Sequence, residues 1–236
     1  MASKVGIVGK SGSGKTTSLF NLTEFGVLNV GLNPEETVIL SPTQKELPVK
    51  GGNKLYPSNG ASIKDNKYFT NLNPEGMIKI MKAIDENYPN IKNIVIDDAQ
   101  YLQSLFLMDK AEEKGYDKFT QTALRAYTPI HHVNNLKRKD LVVIFIYHVE
   151  KDDNQNEQIK TSGKMVESTL GGLDGLFTTL LYSECKMDYV ENKVVYIFHT
   201  HSNGRNTCKT PLGMFKDDTI PNDLGFVVKT IREFYS

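Results

Sequence analysis

The sequence predicts an α/β fold: a mostly parallel central sheet flanked by helices, with an antiparallel hairpin appended to it. Three observations carry that prediction. Compact apolar runs alternate with stretches of helical periodicity over most of the chain, the pattern of a parallel sheet covered on both faces. The first apolar run opens directly into a glycine-rich turn. The last third changes character, with strand-like runs at 176–187 and 193–201 on either side of the polar turn 188–192. With 236 residues, 39% of them hydrophobic, the chain can fill the core of a single domain spanning 1–236.

The first strand, residues 4–8 (KVGIV), runs into Gly9, Lys10, Ser11, Gly12, Ser13, Gly14, Lys15 and Thr16, then Thr17 and a helix predicted over 17–22. The run matches G-x-x-x-x-G-K-[ST] in the order strand, loop, helix, which is the Walker A phosphate loop. Its glycines let backbone N–H groups turn inward and hold the oxygens of a di- or triphosphate. Lys15 adds a cation for the β and γ phosphates, and the Thr16 hydroxyl can coordinate Mg²⁺. Substrate and cofactor are therefore expected to be ATP with Mg²⁺.

Residues 36–40 (ETVIL) are the second strand, ending at Ser41-Pro42. Residues 43–73, rich in Lys, Asn, Gly and Pro, read as an irregular excursion with a short strand at 54–56. Met77, Ile78, Ile80, Met81 and Ile84 fall at helical spacing and predict a helix over 74–86. Residues 93–98 (NIVIDD) form the third strand, which ends in acid in the Walker B manner. That places Asp97 at the carboxyl end of a buried strand beside the phosphate loop, where it can hold the Mg²⁺. The metal offsets the hydration that a buried carboxylate loses. The carboxylate that orients the attacking water stays open between two positions. P-loop ATPases take it from the residue after the metal-binding acid, here Asp98, or from just past the second strand, here Glu46.

Two helices come next, over 101–114 and 117–137, their apolar residues reading as core, with His131 and His132 structural. The fourth strand, 141–147 (LVVIFIY), is continuous and apolar, as a central parallel strand is, and ends at His148. A polar residue at that tip is within reach of the γ-phosphate and can report its presence by moving the segment after it. That segment, residues 150–165, is polar and reads as a mobile loop. Its Lys151, Lys160 and Lys164 are candidate contacts for the backbone of a single strand of DNA. A final helix is predicted over 222–235, with Pro221-Asn222-Asp223 as its start signal.

Lysine plus arginine and aspartate plus glutamate balance at 28 each, so no global positive field steers a nucleic acid and any such surface is local. Cys185 and Cys208 have neither metal spacing nor a disulfide framework. A strand opens the chain without a signal peptide, and no apolar run approaches the length of a membrane span. The expectation is a cytoplasmic protein with no membrane partner.

Taken together, GKSGSGKTT, the NIVIDD strand, VVIFIYHVE, the GKMVE segment before a hairpin, and the closing CKTPLGMFKDDTIPNDLGFVVKTIREFY resemble the RecA-like ATP-binding proteins of tailed phages. Some of these are single-strand annealing recombinases. The resemblance covers most of the chain, with residues 43–73 outside it. It implies a RecA-like P-loop core, ATP hydrolysis, binding to single-stranded DNA, a single-strand-binding protein as companion, and a location in the host cytoplasm. It also implies homo-oligomers with ATP at the subunit boundary, on which Arg205 and Lys209 of the neighbouring subunit would act. The departure is at the second strand, where the family's catalytic acid would come directly after the strand and this chain has Ser41-Pro42. Hydrolysis is then expected to be slow, or to use Asp98.

Three functions compete. A DNA-dependent recombination ATPase predicts turnover stimulated by DNA. An AAA-type helicase loader or other remodelling ATPase predicts a helical lid after the core, against the hairpin-rich ending. A small-molecule P-loop kinase would want an arginine-bearing lid, and the chain has few arginines.

Overall fold

The computed structural model describes residues 1–58, 60 and 62–236; residues 59 and 61, inside the irregular stretch, lie outside the described residues. Among the described residues nine strands form one sheet: β1 (Ser3–Gly9), β2 (Thr37–Leu40), β3 (Tyr68–Phe69), β4 (Asn93–Ile96), β5 (Val142–Lys151), β6 (Glu157–Ile159), β7 (Thr179–Asp188), β8 (Lys193–His199) and β9 (Thr219–Pro221). The order across the sheet is β3-β2-β4-β5-β1-β7-β8-β9, with β6 paired to the outer end of β5. β3, β2, β4, β5, β1 and β7 run parallel, while β8 and β9 continue the sheet antiparallel. β5 therefore lies between β1 and β4, so its His148 sits between the strand that ends in the phosphate loop and the strand that ends in Asp97.

Alternation along the buried strands supplies two cores. Ile94, Ile96, Val143 and Phe145 face Met77, Met81 and Ile84 of one helix and Ala126 and Ile130 of another. Val5, Ile7, Val95, Ile144 and Ile146 face Leu224, Val227, Val228 and Ile231 on the opposite side. The helices are α1 (Gly52–Leu55), α2 (Pro74–Asn87), α3 (Tyr101–Asp109), α4 (Asp117–His132), α5 (Met165–Leu170) and α6 (Leu224–Tyr235). α2 starts where its signals say: the Asn73 side chain accepts from Gly76 N–H at 2.8 Å, and Pro74 occupies the first turn. Burying each large apolar side chain of α2 or α6 contributes about 1.5–3 kcal/mol. The result is an α/β P-loop NTPase fold with an antiparallel part at one side.

Four local expectations are corrected. The helix over 17–22 is only a 3₁₀ turn, Thr17–Leu19. The Leu19 carbonyl accepts from Leu32 N–H at 2.8 Å and Leu22 N–H donates to Asn29 at 3.0 Å, so the groups a helix would pair internally are taken by the returning chain. The short strand at 54–56 is instead the end of α1, closed by Tyr56 N–H to the Gly52 carbonyl at 2.9 Å, while the edge of β2 is taken by β3. The fourth strand does not end at His148, and 150–165 is not simply a loop: β5 runs on to Lys151 and folds back through β6 in a two-stranded ribbon. The last helix begins at Leu224, with Asp223 as its cap, and β9 is a strand that the sequence did not announce.

Asp223 does more than cap. Its carboxylate accepts from Gly225 N–H at 2.8 Å and Phe226 N–H at 3.4 Å within the helix, and from Val30 N–H at 2.8 Å and Gly31 N–H at 3.0 Å across the chain. Asp223→Ala strands these donors, two of them away from any helix. The expected cost is about 2–4 kcal/mol, read as a lowered denaturation midpoint at unchanged slope. A midpoint equal to that of the unaltered protein would show that water replaces the carboxylate without loss.

Candidate functional site

Three loops at the carboxyl end of the parallel strands meet in one cleft of about 270 Å³. Its walls are the phosphate loop after β1, the segment Lys45 to Pro48 after β2, and Asp97 and Asp98 after β4, with His148 of β5. Cleft and strand ends coincide because a parallel sheet points all its carboxyl ends to one side.

The phosphate loop is held from below. Ser183 on β7 donates to the Ser13 carbonyl at 2.7 Å, Asn222 donates to the Ser183 hydroxyl at 2.9 Å, and Asn29 donates to the Asn222 carbonyl at 2.6 Å. Two glycines fit only as glycines. A Cβ at Gly9 would stand 2.5 Å from the Ser183 carbonyl oxygen, and one at Gly14, whose φ is +88°, would stand 2.7 Å from the Tyr196 ring. The Ser13 hydroxyl is buried without a hydrogen-bond partner among the described residues. Lys15 is buried and its ammonium donates to the Gly9 carbonyl at 2.8 Å and the Lys10 carbonyl at 2.6 Å. Burial pushes its pKa down to about 8, with Asp98 and Asp97 pulling the other way.

The phosphate loop and the end of β4 meet through their side chains. Thr16 Oγ1 donates to Asp97 at 3.0 Å from Oδ1 and 3.2 Å from Oδ2. Asp97 is 7% exposed, and burial, with the neighbouring Asp98 charge, raises its pKa to about 7. A hydroxyl and an under-compensated carboxylate facing one another beside glycine N–H groups suit a magnesium ion that takes its remaining ligands from phosphate and water. Among the described residues no group of three His, Cys, Asp or Glu side chains forms a metal site of its own.

Asp98 stands in the left-handed region at φ +59°, with its carboxylate in a ring of donors. Lys45 Nζ bonds Oδ2, Gln100 Nε2 reaches Oδ1 at 3.2 Å, and His148 Nε2 lies 3.3 Å from the same oxygen. Burial raises the Asp98 pKa, but the bonds from His148, Lys45 and Gln100 outweigh it and hold the group well below the ordinary carboxylate range. Glu46 lines the same cleft with an exposed side chain bonded to Asn53. Of the two expected carboxylates, Asp98 is the one embedded among donors.

The remaining candidates lie outside the cleft lining. Arg205 and Lys209 are exposed on the stretch after β8; the Arg205 carbonyl accepts from Glu157 N–H at 2.8 Å, and Lys209 bridges Leu180 through its backbone. Lys151, Lys160 and Lys164 are exposed on or beside the β5–β6 ribbon. Lys160 N–H donates to the His148 carbonyl at 2.9 Å, which ties that ribbon to the cleft. Sequence reasoning missed Lys45, although it is the immediate neighbour of Glu46 and lies past a strand at the carboxyl edge. It also missed Ser183 and Asn222, which carry no motif. A family model described as AAA domain matches residues 1–208, a span holding every residue that lines the cleft. No curated protein matches the chain.

Proposed function

The chain belongs to the AAA domain family, and from that premise we propose that it is an Mg-ATP-hydrolysing, RecA-like P-loop ATPase acting on single-stranded DNA in phage-type recombination or replication. The observation that carries the ATPase reading is the contact of Thr16 with Asp97 beside an anionic Asp98. Thr16 and Asp97 would hold Mg²⁺, which would supply positive charge against the phosphates. The chain does the rest. Loop N–H groups and Lys15 hold the phosphates, and Asp98 orients the attacking water. Glu46 is the runner-up for that role.

The DNA reading rests on the resemblance and on the ribbon. His148 and Lys151 share one strand, and Lys160 hangs on the His148 carbonyl, so a change felt at His148 passes along continuous backbone to exposed cations. In a homo-oligomer, Arg205 and Lys209 would reach the neighbouring subunit's ATP. A single-strand-binding protein is the expected companion on the same DNA, and the host cytoplasm the expected setting. Among the described residues no helix is long and apolar enough to cross a membrane.

A second reading, a helicase loader or other remodelling ATPase, is favoured by the AAA domain match itself. Among the described residues β7 is followed by β8, β9 and one helix, where a lid of several helices would favour this reading. Among the described residues no arginine lines the cleft, which speaks against a small-molecule kinase. The deciding measurement is steady-state ATP hydrolysis with and without single-stranded DNA. Turnover should rise severalfold with DNA. Turnover indifferent to DNA but raised by a protein partner would favour the loader reading, and transfer of phosphate to a small acceptor would overturn both.

A further inference from the structure

The cleft holds a second cation that the proposed hydrolysis leaves without a task. Lys45 comes after β2 in the segment Gln44-Lys45-Glu46-Leu47, which is held at and after it: Tyr68 on β3 donates to the Lys45 carbonyl at 3.1 Å, and Leu47 is buried. Its side chain lines the cleft. There its ammonium sits on Asp98 and lies 4.8 Å from the centre of the Tyr101 ring.

We propose that Lys45 is a cation supplied within the same chain for the terminal phosphate, parked on Asp98 and transferred to the γ-phosphate oxygens when the nucleotide enters. Four features argue for this over a fixed ion pair. The Lys45 side chain is half exposed, at 50% against 11% for Asp98, so the lysine end of the pair is open to water. Asp98 keeps two other donors, Gln100 and His148, when Lys45 leaves. A phosphate oxygen is the stronger competitor, because Asp98 already shares its charge among three partners. Lastly, Lys15 and Lys45 line one cleft with Glu46, Asp97 and Asp98, so the site has no surplus of cations, and a lysine free to move adds to what magnesium, Lys15 and the loop N–H groups offer an arriving triphosphate. Departure of Lys45 also frees an oxygen of Asp98 for water, so nucleotide entry and exposure of the water-orienting carboxylate become one event.

This inference rests on the reading of the cleft as a MgATP site, and its test separates the two. With magnesium present, ADP and an imido-bridged, non-hydrolysable ATP analogue are titrated by calorimetry into the full chain, Lys45→Met, Lys45→Arg, and Lys45→Met in an Asp98→Asn background. Thermal unfolding confirms that each variant is folded. Lys45→Met should lose about tenfold or more of the preference for the triphosphate, with ADP affinity unchanged, since a charge-assisted bond of about 1.5–3 kcal/mol is removed from one ligand only. Lys45→Arg should keep most of that preference. The loss should persist when Asp98 is already neutral, because Lys45 acts on phosphate and not through Asp98. An unchanged preference in Lys45→Met, an equal weakening of both ligands, or a loss that vanishes in the Asp98→Asn background would each overturn the proposal while leaving the nucleotide site intact. Failure of the unaltered chain to bind either ligand would overturn the site and the proposal together.

Discussion

Lys15→Ala is expected to lower MgATP affinity or turnover by well over tenfold. Lys15 is the buried cation of the phosphate loop, and its ammonium is already oriented by the Gly9 and Lys10 carbonyls, so little ordering remains to be done when phosphate replaces them. A charge-assisted contact in a buried site contributes more than about 1.5 kcal/mol. The substitution also has a signature apart from rate. With its pKa near 8 through burial, Lys15 is partly deprotonated in mildly alkaline solution, and an anion beside it draws the proton back. Nucleotide binding near pH 8 should therefore take up protons in the unaltered protein and fewer in Lys15→Ala, measurable as buffer-dependent calorimetric heat. Equal affinity, turnover and proton uptake in both proteins would remove this cleft as the nucleotide site.

Asp97→Asn should be pulled in opposite directions by function and by stability. Losing the carboxylate opposite Thr16 is expected to reduce magnesium-dependent turnover by about a hundredfold or more, within the range seen when a single electrostatic group is removed from an active site. In chelator, with no metal to compensate it, the same change should stabilise the fold. The Asp97 pKa is raised to about 7 by burial, so its favourable contribution is present at acid pH and is lost as pH rises through 7. The asparagine protein escapes that loss. Its advantage in unfolding temperature should open from about pH 4, be complete above about pH 7, and amount to a few kcal/mol at most. A variant less stable than the original at pH 8 would show that Asp97 is fully compensated by Thr16 and the lysines.

The parts of the site legible in the sequence are those whose geometry is local. Gly9 to Thr16 is a continuous loop, and Asp97 closes a strand whose apolar run marks it as buried, so both could be read from spacing and strand order alone. Asp98 could be read too, because it follows a strand end, and His148, because it closes the apolar run of β5, although the strand itself continues to Lys151. Lys45 could not be placed, because its contact with Asp98 depends on Tyr68, supplied by a two-residue strand inside a stretch without periodicity. The false helix at 17–22 has the same origin: its composition permits a helix, but pairing with residues 29 and 32 takes the necessary backbone groups. The β5–β6 ribbon was invisible for another reason. Its outer end buries little, so no alternation of apolar residues marks it as strand, and backbone pairing alone defines it.

The support of the phosphate loop by Ser183 and Asn222 has a consequence for the order of events in synthesis. Asn29 and Gly31 wait for partners 193 and 192 positions later, and Ser13 for one 170 positions later. At elongation rates of about 5–20 residues per second, the nucleotide loop leaves the ribosome roughly 10 to 40 s before the residues that hold its floor. During that interval the most conspicuous motif of the chain lacks its floor. A nascent protein stalled short of residue 183 would carry every Walker A residue without Ser183 and Asn222 beneath them.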